Sequence, residues 1–120
     1  MSTSTTIPYP YIPPKETGTA TFAQDITNDS FSVTKSGRIC CLNGSIIIDS
    51  GKVKAGYDAT VLTLPTGFRP TINTYITVYA TYSNTSGVFR FRIKSDGDIV
   101  TSAGSNTFSG AIHFNNTFII

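Results

Sequence analysis

Ile72-Asn73-Thr74-Tyr75-Ile76-Thr77-Val78-Tyr79-Ala80-Thr81-Tyr82 and, after a short interruption, Val88-Phe89-Arg90-Phe91-Arg92-Ile93-Lys94-Ser95-Asp96-Gly97-Asp98 are the stretches on which the fold turns. Both are rich in β-branched and aromatic residues, and both alternate with a period of two, the repeat of a strand and not of a helix. In the first, Tyr75, Thr77, Tyr79 and Thr81 share one face, opposed by Thr74, Ile76, Val78, Ala80 and Tyr82. In the second, Phe89, Phe91 and Ile93 stand opposite Arg90, Arg92 and Lys94, so an apolar stripe backs a three-cation one. Asp96-Gly97 then marks a hairpin, because a two-residue type I′ turn needs positive φ at both central positions and this dipeptide tolerates it. Asn84-Thr85-Ser86-Gly87 reads as a slightly longer hairpin loop between the two stretches.

The same texture extends outward in both directions. Short runs of Ile, Val, Phe, Tyr and Thr are punctuated by Gly, Asn, Asp and Ser, with no helical period. Strands are expected at Thr19–Ala23, Ser30–Lys35, Arg38–Ile48, Thr60–Thr63, Ile72–Tyr82, Val88–Lys94, Asp98–Thr101 and Gly110–Ile119. Eight strands predict an all-β fold, a compact antiparallel β-sandwich or barrel of jelly-roll kind. A chain of 120 residues suffices for one such core and not for two. Asn43-Gly44 has two readings, a turn folding Arg38–Leu42 back onto Ser45–Asp49 or a bulge in one long bent strand. In Leu64-Pro65-Thr66-Gly67-Phe68-Arg69-Pro70 the prolines bracket a turn, with Phe68 expected to plug the core and Arg69 to reach outward. The closing Phe114, Phe118, Ile119 and Ile120 place the C-terminal strand in the core or at a subunit interface.

Residues 1–18 differ. Ile7-Pro8-Tyr9-Pro10-Tyr11-Ile12-Pro13-Pro14 fixes φ and removes backbone donors, which predicts an extended arm or linker ahead of a domain at 19–120. Its Ile and Tyr residues give it apolar surface for packing against the domain or a neighbour.

Composition excludes several classes. Only 13% of residues are charged and the net charge is +2, too little for the electrostatic footprint of a nucleic-acid binder. No apolar run approaches the ~18 residues of a membrane-spanning helix, and the N-terminus lacks the pattern of a signal peptide, so synthesis in a cytoplasm is expected, with no membrane insertion. Adjacent Cys40 and Cys41 point to opposite faces of a strand and are expected to be free thiols. With His113 they match no zinc spacing, so neither metal nor cofactor is expected. His113, the sole histidine, has an ordinary place on one strand face, and a structural or surface role, a ligand contact and catalysis are the readings open to it. Asp96 and Asp98 flank a turn glycine, where turn geometry accounts for them. No enzyme activity is assigned. What remains is a surface of Ser, Thr, Asn and Tyr that suits neutral sugars or another protein. The cationic stripe adds either a solvated face or a site for an anionic group.

Leu64-Pro65-Thr66-Gly67-Phe68-Arg69-Pro70, the long β-branched strand, Phe91-Arg92-Ile93-Lys94-Ser95-Asp96-Gly97-Asp98-Ile99 and the aromatic–aliphatic last strand together resemble the head domains of phage tail-fibre and baseplate receptor-binding proteins, of the kind found in phages of Gram-positive hosts. Val33-Thr34-Lys35-Ser36-Gly37-Arg38, leading into a strand interrupted at Asn43-Gly44-Ser45, fits the same pattern, and the likeness favours the bulge there. It spans roughly residues 20 to 120. The resemblance implies a β-barrel head, a homotrimer, saccharide binding in surface or intersubunit grooves, and a place on the virion at the tail tip. Such proteins commonly carry a shoulder and neck, where this sequence has only the proline-rich arm, which would then dock another baseplate or tail protein. Weak contacts to host cell-wall saccharide would be multiplied by avidity. Candidate contacts, chosen by side-chain chemistry, are Tyr57, Asp58, Tyr79, Asn84, Arg90, Arg92 and His113. The competing readings are a purely structural trimeric virion or tail protein, and a monomeric carbohydrate-binding module.

Overall fold

The structure, a computed structural model, describes residues 14–24, 26–54, 59–82, 85–101 and 107–120, with side chains at all of these except 49–54, 81, 82, 85 and 107–109. Among them the chain is all strand and turn. The elements are β1 (Lys15–Gly18), β2 (Thr21–Phe22), β3 (Ile26–Asn28), β4 (Ser32–Ser36), β5 (Ile39–Lys54), β6 (Thr60–Thr63), β7 (Thr74–Tyr82), β8 (Thr85–Ile93), β9 (Asp98–Thr101) and β10 (Thr107–Ile119). Every pairing is antiparallel, in one sheet ordered β1-β4-β5-β10-β7-β8-β9-β6-β2, with β3 also on β5.

That order carries the architecture. β1 and β2 lie at opposite ends of it, yet only Thr19 and Ala20 separate them in sequence. Three Cα steps reach at most about 11 Å, so the two ends of the sheet must meet. The sheet therefore curls into a half-barrel, its seam spanned by the chain itself. Loop contacts reinforce the seam: Lys35 Nζ donates to the Gly67 carbonyl at 2.7 Å and sits 4.6 Å from the Phe68 ring centre. The C-terminal strand β10 is central, between β5 and β7, as its apolar ending demands.

Curling puts the inward residues of each strand into one core. Leu42, Ile46 and Ile48 of β5, Ile76, Val78 and Ala80 of β7, Phe91 and Ile93 of β8, and Ile112, Phe114 and Phe118 of β10 are all buried there. Phe31 joins Phe114 edge to face, with centroids 5.1 Å apart. Phe68 plugs the core as its sequence position indicates.

Several local expectations are corrected. Arg69 does not reach outward; its Nε donates to the Leu64 carbonyl at 2.9 Å, folding the side chain back over the turn. The hairpin at Asp96-Gly97 forms, but the Gly97 N–H donates to the Lys94 carbonyl, so Ser95 and Asp96 occupy the turn's centre and Gly97, at φ 97°, follows it. This is the three-residue connection closed by a left-handed glycine, and not a type I′ turn centred on Asp-Gly. Thr85, Ser86 and Gly87 are strand and not loop, because the β7–β8 ladder runs unbroken to Tyr82 opposite Thr85. Of the stretch read as an arm, Lys15–Gly18 forms β1; residues 1–13 lie outside the described ones. β3, too short to show a period, was not foreseen.

Candidate functional site

Alternation fixes what the half-barrel shows to the outside. With Ile76, Val78 and Ala80 buried, Tyr75, Thr77 and Tyr79 of β7 must project outward, and both tyrosines are about half exposed, at 54% and 51%. The β7–β8 register sets Tyr75 opposite Arg92, Thr77 opposite Arg90 and Tyr79 opposite Val88. On the other flank His113 of β10 lies directly opposite Tyr79 and, across to β5, opposite Ser45. Four strands thus contribute one transverse row, Val88, Tyr79, His113 and Ser45, of which Ser45 is buried against Asp29 and Ser30.

Two ring contacts organise this face. Tyr79 and His113 have centroids 6.1 Å apart, tilted by 44°. The Arg90 guanidinium lies 4.9 Å from the centre of the Tyr75 ring, its diagonal neighbour on the ladder, an arrangement worth about 0.5–1 kcal/mol at an exposed site. Past His113, β10 and β7 no longer pair, and the Asn116 side-chain amide bridges the parting by donating to the Thr77 carbonyl at 2.8 Å. Lys94, third in the cationic stripe, has Asp96 at 3.8 Å, a solvated pair of little energetic weight. Farther along, Ile119 faces Ile39 across β10 and β5, and these side chains are 67% and 52% exposed.

Of the residues chosen from sequence, Tyr79, Arg90, Arg92 and His113 are brought together on this face. Tyr57, Asp58 and Asn84 lie outside the described residues. Tyr75 was not among the chosen contacts, though the period-two pattern already put it beside Tyr79. Arg90 against its ring is the feature the pattern alone did not disclose. Cys40 is buried in the core and Cys41 is half-buried, both as free thiols. Among the described residues no three His, Cys, Asp or Glu side chains gather as a metal-binding set. Chemically, the face offers aromatic edges and faces, hydroxyls, amides, an imidazole and guanidinium groups on the outer side of the curled sheet. Such a surface can stack on rings and donate hydrogen bonds over an extended ligand. Comparison with protein-family models, curated proteins and solved structures finds no match to this chain.

Proposed function

We propose that the chain is a non-catalytic receptor-binding head of a phage tail, which adheres to saccharide on the host cell surface through the outer face of β10, β7 and β8. The observation that carries this reading is the gathering of exposed rings and a guanidinium on one sheet face: Tyr79 beside the His113 ring, and Tyr75 under Arg90. Rings held by neighbouring side chains lose little entropy on stacking against a sugar, and the guanidinium suits an anionic substituent of a wall polymer. The face is shallow, so affinity per copy is weak and adhesion comes from several copies acting together, in a homotrimer docked through the N-terminal arm.

A second reading is favoured by a separate observation. Ile39, Ile119 and Val88 put apolar surface on the same side of the sheet, which suits a protein partner and a purely structural role in the virion. The two are separated by adsorption of the fluorescently labelled protein to Gram-positive cells before and after removal of wall polysaccharide. Binding that disappears with the polysaccharide, and falls about tenfold in Tyr79→Ala and Arg90→Ala variants, supports the adhesin. A trimer that adsorbs to no strain supports the structural role. A sugar-binding monomer would instead point to a carbohydrate-binding module.

A further inference from the structure

The register sets the start of β1 beside the exposed isoleucines. Lys15 of β1 is opposite Ser36 of β4, Ser36 is opposite Ile39 of β5, and Ile39 is opposite Ile119 of β10, so four strands end in one row. Ile39 and Ile119 are 52% and 67% exposed, and counting along β7 and β10 from the Tyr79–His113 pair brings Ile72, 74% exposed, to the same end of the sheet. We propose that residues 7–13 of one copy lie across Ile39 and Ile119 of a neighbouring copy, so that exchanged arms tie the copies together. The inference rests on the homotrimer proposed above. Residues 1–6, all Ser and Thr after Met1, are left to reach the tail.

Composition selects the occupant. Ile7, Tyr9, Tyr11 and Ile12 supply apolar side chains, and the patch is the side-chain face of strands already paired, so it asks no backbone hydrogen bond of what covers it. The N–H groups that Pro8, Pro10 and Pro13 lack are therefore not missed. A chain confined to extended conformations also loses little entropy on docking, which suits a shallow surface.

Stiffness decides whose patch is covered. A residue before proline is held extended, which applies to Ile7, Tyr9, Ile12 and Pro13. Ile12, Pro13 and Pro14 thus continue the line of β1, at right angles to the row, and carry the chain about 9 Å past the end of the sheet at ~3.1 Å per residue. The one turn this sequence favours beyond them centres on Pro10-Tyr11, with proline leading. Such a turn would bring residues 7–9 back only to the level of Lys15 and about one strand spacing aside, whereas Ile39 of the same copy lies two spacings, about 10 Å, from β1. Without the turn, residues 7–14 span about 25 Å, enough to cross the row of another copy.

The test is photo-cross-linking of the full-length protein with benzoylphenylalanine replacing Tyr9, read on denaturing gels and by mass spectrometry of the linked peptides. A covalent product at twice 12.9 kDa, about 26 kDa, with the link on residues around Ile39 or Ile119, is expected. Tyr9→Glu with Tyr11→Glu, both outside β1 to β10, is expected to weaken trimer formation about tenfold or more in sedimentation equilibrium, with an unchanged far-ultraviolet spectrum. The proposal is overturned by a link to the patch within a single chain, by a link to any other part of a neighbour, by no product above the monomer, or by a trimer undiminished in the double variant. A wild type that still sediments as a trimer then leaves the assembly standing without the arm, whereas a monomeric wild type removes both. Adsorption to cells before and after removal of wall polysaccharide reads the adhesin apart from either.

Discussion

At Gly44 a Cβ would stand 1.8 Å from the carbonyl oxygen of Ser30, and the backbone φ of 92° already excludes most side chains. The crowding has a cause. β3 and β4 pair in succession with the same edge of β5, and the chain joining them crosses at this point, where Ser30 N–H donates to the Ser45 carbonyl and Ser45 N–H to Ser30 Oγ. Gly44→Ala must displace backbone and is expected to cost about 3 kcal/mol or more by urea denaturation. Gly87 is the control: a Cβ there meets nothing nearer than 3.8 Å, and Gly87→Ala should change stability by less than about 1 kcal/mol. Cys40 offers a test in pH. Its complete burial pushes the thiol above its ordinary 9.0, against a smaller downward pull from Lys35 and a small upward one from Cys41. The unfolded chain therefore ionises this thiol first. Its contribution to stability is intact below pH ~9 and is lost as pH rises from there through the higher native value. Melts of wild type and Cys40→Ala across pH ~8–10.5 should show the steeper alkaline decline only in the protein that keeps the thiol.

The β7–β8 ribbon separates core from surface on adjacent residues. Phe91 is fully buried, so Phe91→Ala should cost about 3–5 kcal/mol, while Tyr75→Ala, at an outward position of the same ribbon, should cost about 1 kcal/mol or less. Thermal unfolding of the two variants checks this, and comparable losses would mean that the ribbon's faces are not as unlike as their exposure indicates. The parity of this ribbon is legible in the sequence from Thr74 to Tyr82 and from Val88 to Ile93, because period two has room to show itself there. Thr60–Thr63 and Asp98–Thr101 were read to the residue, since turn signals bound both of them. What was not legible is what tertiary contact decides. β3 is three residues that become a strand only by lying against Ile46–Ile48 of β5. Thr85-Ser86-Gly87 has weak strand propensity and is recruited by the β7 edge opposite it. Asn43-Gly44 is part of one long strand and not a turn, and its pairing with β10 carries no bulge either, since that ladder is unbroken from Gly110 to Ile119. For the candidate face, strand parity was readable from the residues, but the neighbourhood of Tyr79 and His113 was not, because nothing in the sequence says that β10 inserts beside β7.

A sheet whose ends are joined by two residues is curled into a half-barrel, with its core on the inner side and the exposed apolar side chains on the outer. The placement of apolar exposure on that face bears on the proposed trimer. Ile39 and Ile119 are direct partners on neighbouring strands, so they form one patch and not two scattered residues, at the end of the sheet where Arg38 Nε holds the final carbonyl at 2.8 Å. Burying both against another chain gains roughly 1–2 kcal/mol for each side chain, and a closed trimer collects that gain at every interface. In the homotrimer proposed above, wild type should sediment near three times 12.9 kDa, about 39 kDa. Ile39→Glu with Ile119→Glu should sediment as a monomer with an unchanged far-ultraviolet spectrum, since both positions point away from the core. Adhesion to cells should then fall far more than sugar binding per chain, because separation removes avidity and leaves Tyr75, Tyr79, Arg90 and His113 in place. A wild-type protein that is monomeric at every concentration would remove the trimer from the proposal, and equal losses of adhesion and of single-site binding would place the isoleucine pair inside the saccharide site.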